Sequence, residues 1–126
     1  MRQMFLRKHF GDRLRQLRKE QALTGLVLAT MIERDKSWIS HVESGKQSTG
    51  LDTISLFAEV LAVDEMDLLT FPEVNLRHAI NDLTRRVPSE TLAEVKDLLV
   101  RAAKDSERKE GEKRKRLEER LNAKSG

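Results

Sequence analysis

The chain has 126 residues, no cysteine, and 24 Lys+Arg against 21 Asp+Glu. That length holds one small domain plus an appendage, and the missing cysteine excludes disulfides, zinc–thiolate sites and cysteine nucleophiles. No apolar run approaches the roughly 20 residues needed to cross a bilayer, and residues 1–8 lack the apolar stretch of a signal peptide, so a cytoplasmic protein is expected.

Leu6, Phe10, Leu14 and Leu17 recur at helical spacing. They predict a first helix that starts before Phe10, ends near Gln21 and carries Arg13, Arg15 and Lys19 on its polar face. Thr24 is placed to cap a second helix, which turns Leu28, Ala29 and Ile32 inward. Its third position is Val27 and not a glutamate, so no capping box forms. With Leu26, Val27 and Met31 added, this helix is apolar on too many sides for a surface element. A cover is therefore expected, supplied by the C-terminal part of the chain or by another protein.

Glu33-Arg34-Asp35 makes a tight turn, and Asp35 is a good cap for a third helix. That helix buries Ile39 and Val42 and turns Lys36, Ser37, Trp38, Ser40 and His41 outward. Gly45 follows the last apolar position, where a left-handed residue most easily ends a helix. Short polar and cationic groups on such a helix suit reading of the DNA major groove. Trp38 either packs against the second helix or lies across sugar and phosphate atoms, and the sequence leaves both open. The loop Lys46-Gln47-Ser48-Thr49 offers backbone donors and one cation to a passing phosphate backbone. Leu51, Ile54, Leu56 or Phe57, Ala58 and Leu61 predict a fourth helix, and Asp64 caps a short fifth one with Met66, Leu68 and Leu69.

From Phe10 to Phe71 the chain resembles the lambda-repressor/Cro-like helix-turn-helix domains, the xenobiotic response element family of prokaryotic and phage regulators. The matching pieces are FGDRLRQLRKEQALT, LAT, ISHVESGK and LDTISLFAEVLAVDEMDLL. The resemblance implies double-stranded DNA as partner, with Lys36, Ser37, Trp38, Ser40, His41, Lys46, Gln47 and Thr49 as the DNA-contacting set. It also implies that Arg18 pairs with Glu43 inside the domain. Two departures stand out. The family usually has a phosphate-touching glutamine after the Thr24 position, where this chain has Gly25, and the glycine often found in the turn is Glu33.

Beyond Pro72, Leu76, Ala79, Ile80, Leu83 and Val87 form one apolar stripe, and Leu92, Val95, Leu98, Leu99, Ala102 and Ala103 form another after the Pro88-Ser89 break. Two such helices need a further surface to bury their stripes, either the head or a second copy. Leu76, Ile80, Leu83, Leu92, Val95, Leu98 and Leu99 are accordingly the expected dimer contacts. After Ala103 the sequence is almost all charge, a fraying helix or flexible tail by default. The expected architecture is all-α: a five-helix head over residues 1–71, a helical hairpin over 72–103, and a charged tail over 104–126.

The charge is unevenly placed: residues 1–71 hold 10 basic and 10 acidic groups, so the net +3 lies beyond them. A neutral DNA-binding head must place its cations locally. A homodimeric repressor is the leading reading, with an antitoxin or adaptor that binds another protein as the alternative. Nothing in the sequence points to an enzyme, a metal site or a cofactor: there is no Gly-rich phosphate loop, nucleophile–base set or ligand cluster.

Overall fold

The computed structural model describes residues 2–125, which form seven helices and no strand. They are α1 (Arg2–Glu20), α2 (Gly25–Met31), α3 (Lys36–Glu43), α4 (Leu51–Leu61), α5 (Glu65–Leu68), α6 (Leu76–Thr84) and α7 (Ser89–Ser125). No helix is long and apolar enough to cross a membrane. The chain divides into two compact units, residues 1–86 and residues 87–126.

The first unit closes on one apolar core. Leu14 and Leu17 from α1, Leu28 and Ala29 from α2, Ile39 and Val42 from α3, Phe57 and Leu61 from α4, and Leu68 from α5 are all fully buried. Each large side chain contributes about 1.5–3 kcal/mol by leaving water. Of the two candidates on α4, Phe57 is inside and Leu56 is exposed. The stripe on α1 begins one turn later than expected: Leu6 is exposed and Phe10 is the first buried member.

Gly11 fixes how α1 meets α3. A Cβ there would lie 2.4 Å from the Glu43 carbonyl oxygen and 2.5 Å from that of Val42, so the two backbones touch. Arg13, expected on a polar face, is instead only 2% exposed. Its Nε donates to the Asp67 carbonyl at 2.7 Å and its Nη2 to Asp82 Oδ1 at 2.7 Å. Asp82 also accepts from Arg85 at 2.8 Å and Arg86 at 2.9 Å, and Arg85 reaches on to Glu20 at 3.0 Å.

This network moves the boundary of the head from residue 71 to residue 86. A buried guanidinium needs a carboxylate, and the nearest one is supplied by α6. Other polar groups seat α6 as well. His78 Nδ1 accepts the Phe71 N–H at 2.8 Å, and Asn81 Nδ2 donates to Thr70 Oγ1 at 2.6 Å. The His78 ring stacks on Phe71 at 5.5 Å, and His9 stacks on Phe71 at the same centroid distance. α6 is thus inverted: its polar side faces the head, while Leu76, Ile80 and Leu83 are exposed.

The second unit is a single helix. α7 runs 37 residues, about 55 Å at 1.5 Å per residue. The expected hairpin and flexible tail are replaced by this one element, since α6 belongs to the head and residues 104–125 continue α7. The charged stretch is tied along its own surface. Arg108 reaches Asp105 at 2.9 Å and Glu112 at 2.8 Å, and Lys109 reaches Asp105 at 3.0 Å. Such pairs at i, i+3 and i, i+4 support an exposed helix by a few tenths of a kcal/mol each. No residue of α7 is buried.

Candidate nucleic-acid interface

The third helix is held from both ends. At its start, Asp35 accepts the Trp38 N–H at 2.8 Å. At its end, Gly45 adopts φ +80 and lies so close to α1 that a Cβ would stand 3.1 Å from the Lys8 Cα. α2 is capped in the same manner, with Thr24 Oγ1 accepting the Val27 N–H at 3.1 Å. The turn between α2 and α3 passes through Glu33 at φ 58, a left-handed conformation that a non-glycine residue pays about 1–2 kcal/mol to adopt.

Arg18 and Glu43 meet side-on. Nε to Oε1 is 2.6 Å and Nη2 to Oε2 is 3.1 Å, while Arg18 Nη1 donates to the Leu23 carbonyl at 2.8 Å. Both side chains are largely buried. The bidentate fork ties the first helix to the end of the third and closes the loop that precedes α2.

Trp38 is turned toward the core and not outward. Its ring stacks on Phe57 at 6.2 Å with 24° between planes, and Phe57 in turn meets Phe10 at 6.4 Å. The Arg34 guanidinium covers its other face at 4.5 Å. Neither sequence reading placed it there; it packs on α4. The reason is angular. Trp38 precedes Val42 by one helical turn and shares its flank, so the apolar side of α3 is wider than Ile39 and Val42 alone suggest. The cation–aromatic pile stiffens the helix and takes Trp38 out of the outward-facing set.

What remains on the outer face is Lys36, Ser37, Ser40 and His41, all exposed. In the following loop Lys46 and Gln47 are exposed and Thr49 is partly so. The loop's backbone donors are less available than expected. The N–H groups of Lys46 and Gln47 both bind the His41 carbonyl, at 2.9 and 3.1 Å, and the Gln47 side chain donates to the Ser48 carbonyl at 2.8 Å. Their side chains, and not those two amides, are left to face a ligand.

Sequence reasoning also missed a cleft of about 410 Å³ beside α3, lined by Lys8, Asp12, Arg15, Arg18, Ser40, Glu43 and Ser44. Lys8 pairs with Asp12 at 3.1 Å, whereas Arg15 has no carboxylate within reach among the described residues. The signal for it is the i, i+7 spacing of Lys8 and Arg15, which puts both on one side of α1. No group of His, Asp or Glu among the described residues is arranged to hold a metal ion.

The expected helix-two patch is present and uncovered: Leu26, Val27 and Met31 are all exposed. Among the described residues of the first unit, nothing buries them. Of the expected dimer contacts, Leu76, Ile80, Leu83, Leu98 and Leu99 are exposed, and Leu92 and Val95 are partly buried.

Residues 9–70 match the family model of a helix-turn-helix domain. Among curated proteins, none matches the sequence. Among solved structures, the chain is similar to the restriction-modification controller protein C.AhdI from Aeromonas hydrophila. The two share 33% identity over 48% of this chain and 92% of that one, at a TM-score of 0.47. The hypothetical transcription factor NHTF from Neisseria is 26% identical over 57% of this chain and 83% of its own, with a TM-score of 0.53. The clp gene regulator ClgR from C. glutamicum is 23% identical over 51% and 82%, with a TM-score of 0.50. With two capped helices joined by a left-handed turn inside residues 9–70, the chain belongs to the helix-turn-helix family of transcription regulators, of the lambda-repressor/Cro type.

Proposed function

We propose that the protein is a cytoplasmic, sequence-specific DNA-binding regulator: a homodimeric repressor that occupies a near-palindromic operator through the major groove. The observation that carries the reading is the contrast across α3. One side is locked by the Asp35 cap, the Gly11 approach and the Arg34–Trp38–Phe57 pile, while the other presents Lys36, Ser37, Ser40 and His41 to solvent. A rigid helix with short polar and cationic groups outward is what base-edge readout needs. Lys46, Gln47 and Thr49 flank it as backbone contacts. The exposed stripe of α6 (Leu76, Ile80, Leu83) offers one surface to a second copy, and the apolar positions Leu92, Val95, Leu98 and Leu99 of α7 offer another. Two reading helices would then meet successive major grooves about 34–36 Å apart. The mechanism is occlusion of a promoter, with no chemistry on the DNA.

Selection of bound duplexes from a random pool by the purified chain tests this, with one enriched palindrome as the expected outcome. On the enriched site, Lys36→Ala, Ser37→Ala or His41→Ala should each cost about 1–3 kcal/mol, and far less on random DNA. Equal losses on both would reassign that residue to the phosphate backbone. A second reading, an antitoxin or adaptor, is favoured by one observation: the uncovered patch of Leu26, Val27 and Met31 on α2. A pool that enriches nothing at low salt would move the assignment there.

A further inference from the structure

The positive charge of this protein is concentrated on one stretch of one helix. Residues 112–125 carry six cations against three carboxylates, with four of the cations consecutive at Lys113, Arg114, Lys115 and Arg116. Residues 89–110, the earlier part of the same helix, carry five cations against six carboxylates. The head over residues 1–86 carries 13 cations against 12 carboxylates and is nearly neutral. The two parts of α7 also differ in how their charges are engaged. Asp105, Arg108, Lys109 and Glu112 are tied to one another at 2.8–3.0 Å. Among the described residues, no carboxylate lies within ion-pair distance of Lys113, Arg114, Lys115 or Arg116, and all four are exposed.

Four consecutive residues on a helix span about 300° of its circumference, so these cations form a collar and not a face. A collar cannot match a flat, oriented site, and it has no apolar stripe to lay into a groove; Leu117 and Leu121 make only a single exposed i, i+4 pair. It suits a ligand that offers negative charge along a line and makes no demand on rotation. We propose that the distal part of α7, centred on Lys113–Arg116, is a sequence-independent contact for the phosphate backbone of duplex DNA. It supplies the electrostatic attraction that the nearly neutral head lacks. The inference rests on the DNA-binding reading of the head, and its test separates the two.

The physical lever is counterion release. Each phosphate neutralised steepens the fall of log K with log salt by about 0.9. A collar turns about two of its four cations toward one duplex, so the two copies of the proposed dimer add about four contacts and about 3.6 to the slope. Between 50 and 200 mM salt the intact protein should lose about 150-fold more affinity than a variant without the collar. The variant is Lys113→Gln, Arg114→Gln, Lys115→Gln and Arg116→Gln together, since glutamine keeps helix propensity while removing charge. The matched control makes the same replacement at Arg101, Lys104, Arg108 and Lys109. Both are measured as full chains against the enriched operator duplex, a random-sequence duplex of equal length, and vesicles containing anionic phospholipid.

The expected result is a slope lowered by about 3.6 on both duplexes by the collar variant, with the ratio of operator to random affinity unchanged. The control variant should leave the slope as it was. An unchanged slope with operator preference intact overturns the inference and leaves the head assignment standing. Loss of operator preference in the collar variant overturns it too, since the contact would then carry sequence information. Collar-dependent binding to vesicles with no change on DNA assigns the collar to a membrane surface instead. A wild-type chain that prefers no sequence overturns the reading of the head.

Discussion

Asp82→Asn tests the reasoning that put α6 into the head. The replacement keeps the shape of the side chain and removes its charge from between three guanidinium groups. In the native protein Asp82 is 4% exposed and accepts from Arg13, Arg85 and Arg86 at 2.7–2.9 Å. Arg13 is buried with it and pairs with no other carboxylate among the described residues. Removing one partner of a buried pair costs about 3–5 kcal/mol, because the other charge stays behind uncompensated. The lower end is expected here, since an asparagine oxygen still accepts one bond and Arg85 keeps Glu20.

The pH dependence gives a second readout. Burial pushes the Asp82 carboxyl up, but the hydrogen bonds from Arg85 and Arg13 and their charges outweigh it, so its value lies below the ordinary 3.8. A depressed carboxylate contributes stability that is complete above the unfolded value and disappears as pH falls through the folded one. Urea denaturation of both proteins should therefore show a constant gap of about 3 kcal/mol from neutral pH down to about 4. The gap should close below 3.8, where the unfolded carboxyl takes up its proton before the native one, and stop closing once the native carboxyl is protonated too. A gap under about 1 kcal/mol at neutral pH would show that water reaches Arg13 once the charge is gone. A gap that persists undiminished in strong acid would mean the loss is one of packing and not of charge.

Gly11→Ala should destabilise the head by more than about 2 kcal/mol, because the new methyl meets the carbonyls of Glu43 and Val42, which are backbone and cannot turn aside. A melting temperature within experimental error of the parent would refute that contact. Glu33→Gly should do the reverse, raising stability by about 1 kcal/mol on chemical denaturation, since glycine accepts the left-handed turn without a Cβ penalty. Val27→Glu with Met31→Lys should leave the melting temperature and helix content nearly unchanged, as both side chains are exposed. A pronounced loss of stability would show that the α2 patch is covered in the protein's working form.

Much of the head was legible because local rules and the family spacing point the same way. Asp35 as a cap, Gly45 as a helix end and Leu28, Ala29, Ile39 and Val42 as core are each set by neighbours within a turn or two. The Arg18–Glu43 contact came from the resemblance, since nothing local joins residues 25 apart. Trp38 was misplaced because its flank was judged from two apolar neighbours without the aromatic partner on α4. The error over α6 has a deeper cause. Periodicity tells which residues share a face but not which face lies inside, and the rule that the apolar face is buried fails once Arg13 requires a carboxylate. Charge pattern had the same limit in residues 104–125, where a solvated helix and a coil differ by a few tenths of a kcal/mol per ion pair.

The inversion of α6 bears on how the proposed regulator would be assembled. A helix held by its apolar face has nothing left to offer a second copy, whereas one held by Asp82, Asn81 and His78 can keep Leu76, Ile80 and Leu83 free. The polar anchor therefore separates folding of the head from association through α6, and the two draw on different residues. Charge is divided in a similar way along the chain. In the proposed regulator base edges would be read by a few groups on a nearly neutral head, where every misplaced cation would raise affinity for all sequences alike. Placing the net positive charge late in the sequence, on a different helix from the proposed reading residues, would let affinity for DNA rise without lowering the ratio between the right site and the wrong one. On that division, changes to α3 would alter which sequence is bound, and changes to distal α7 would alter how much salt the binding tolerates.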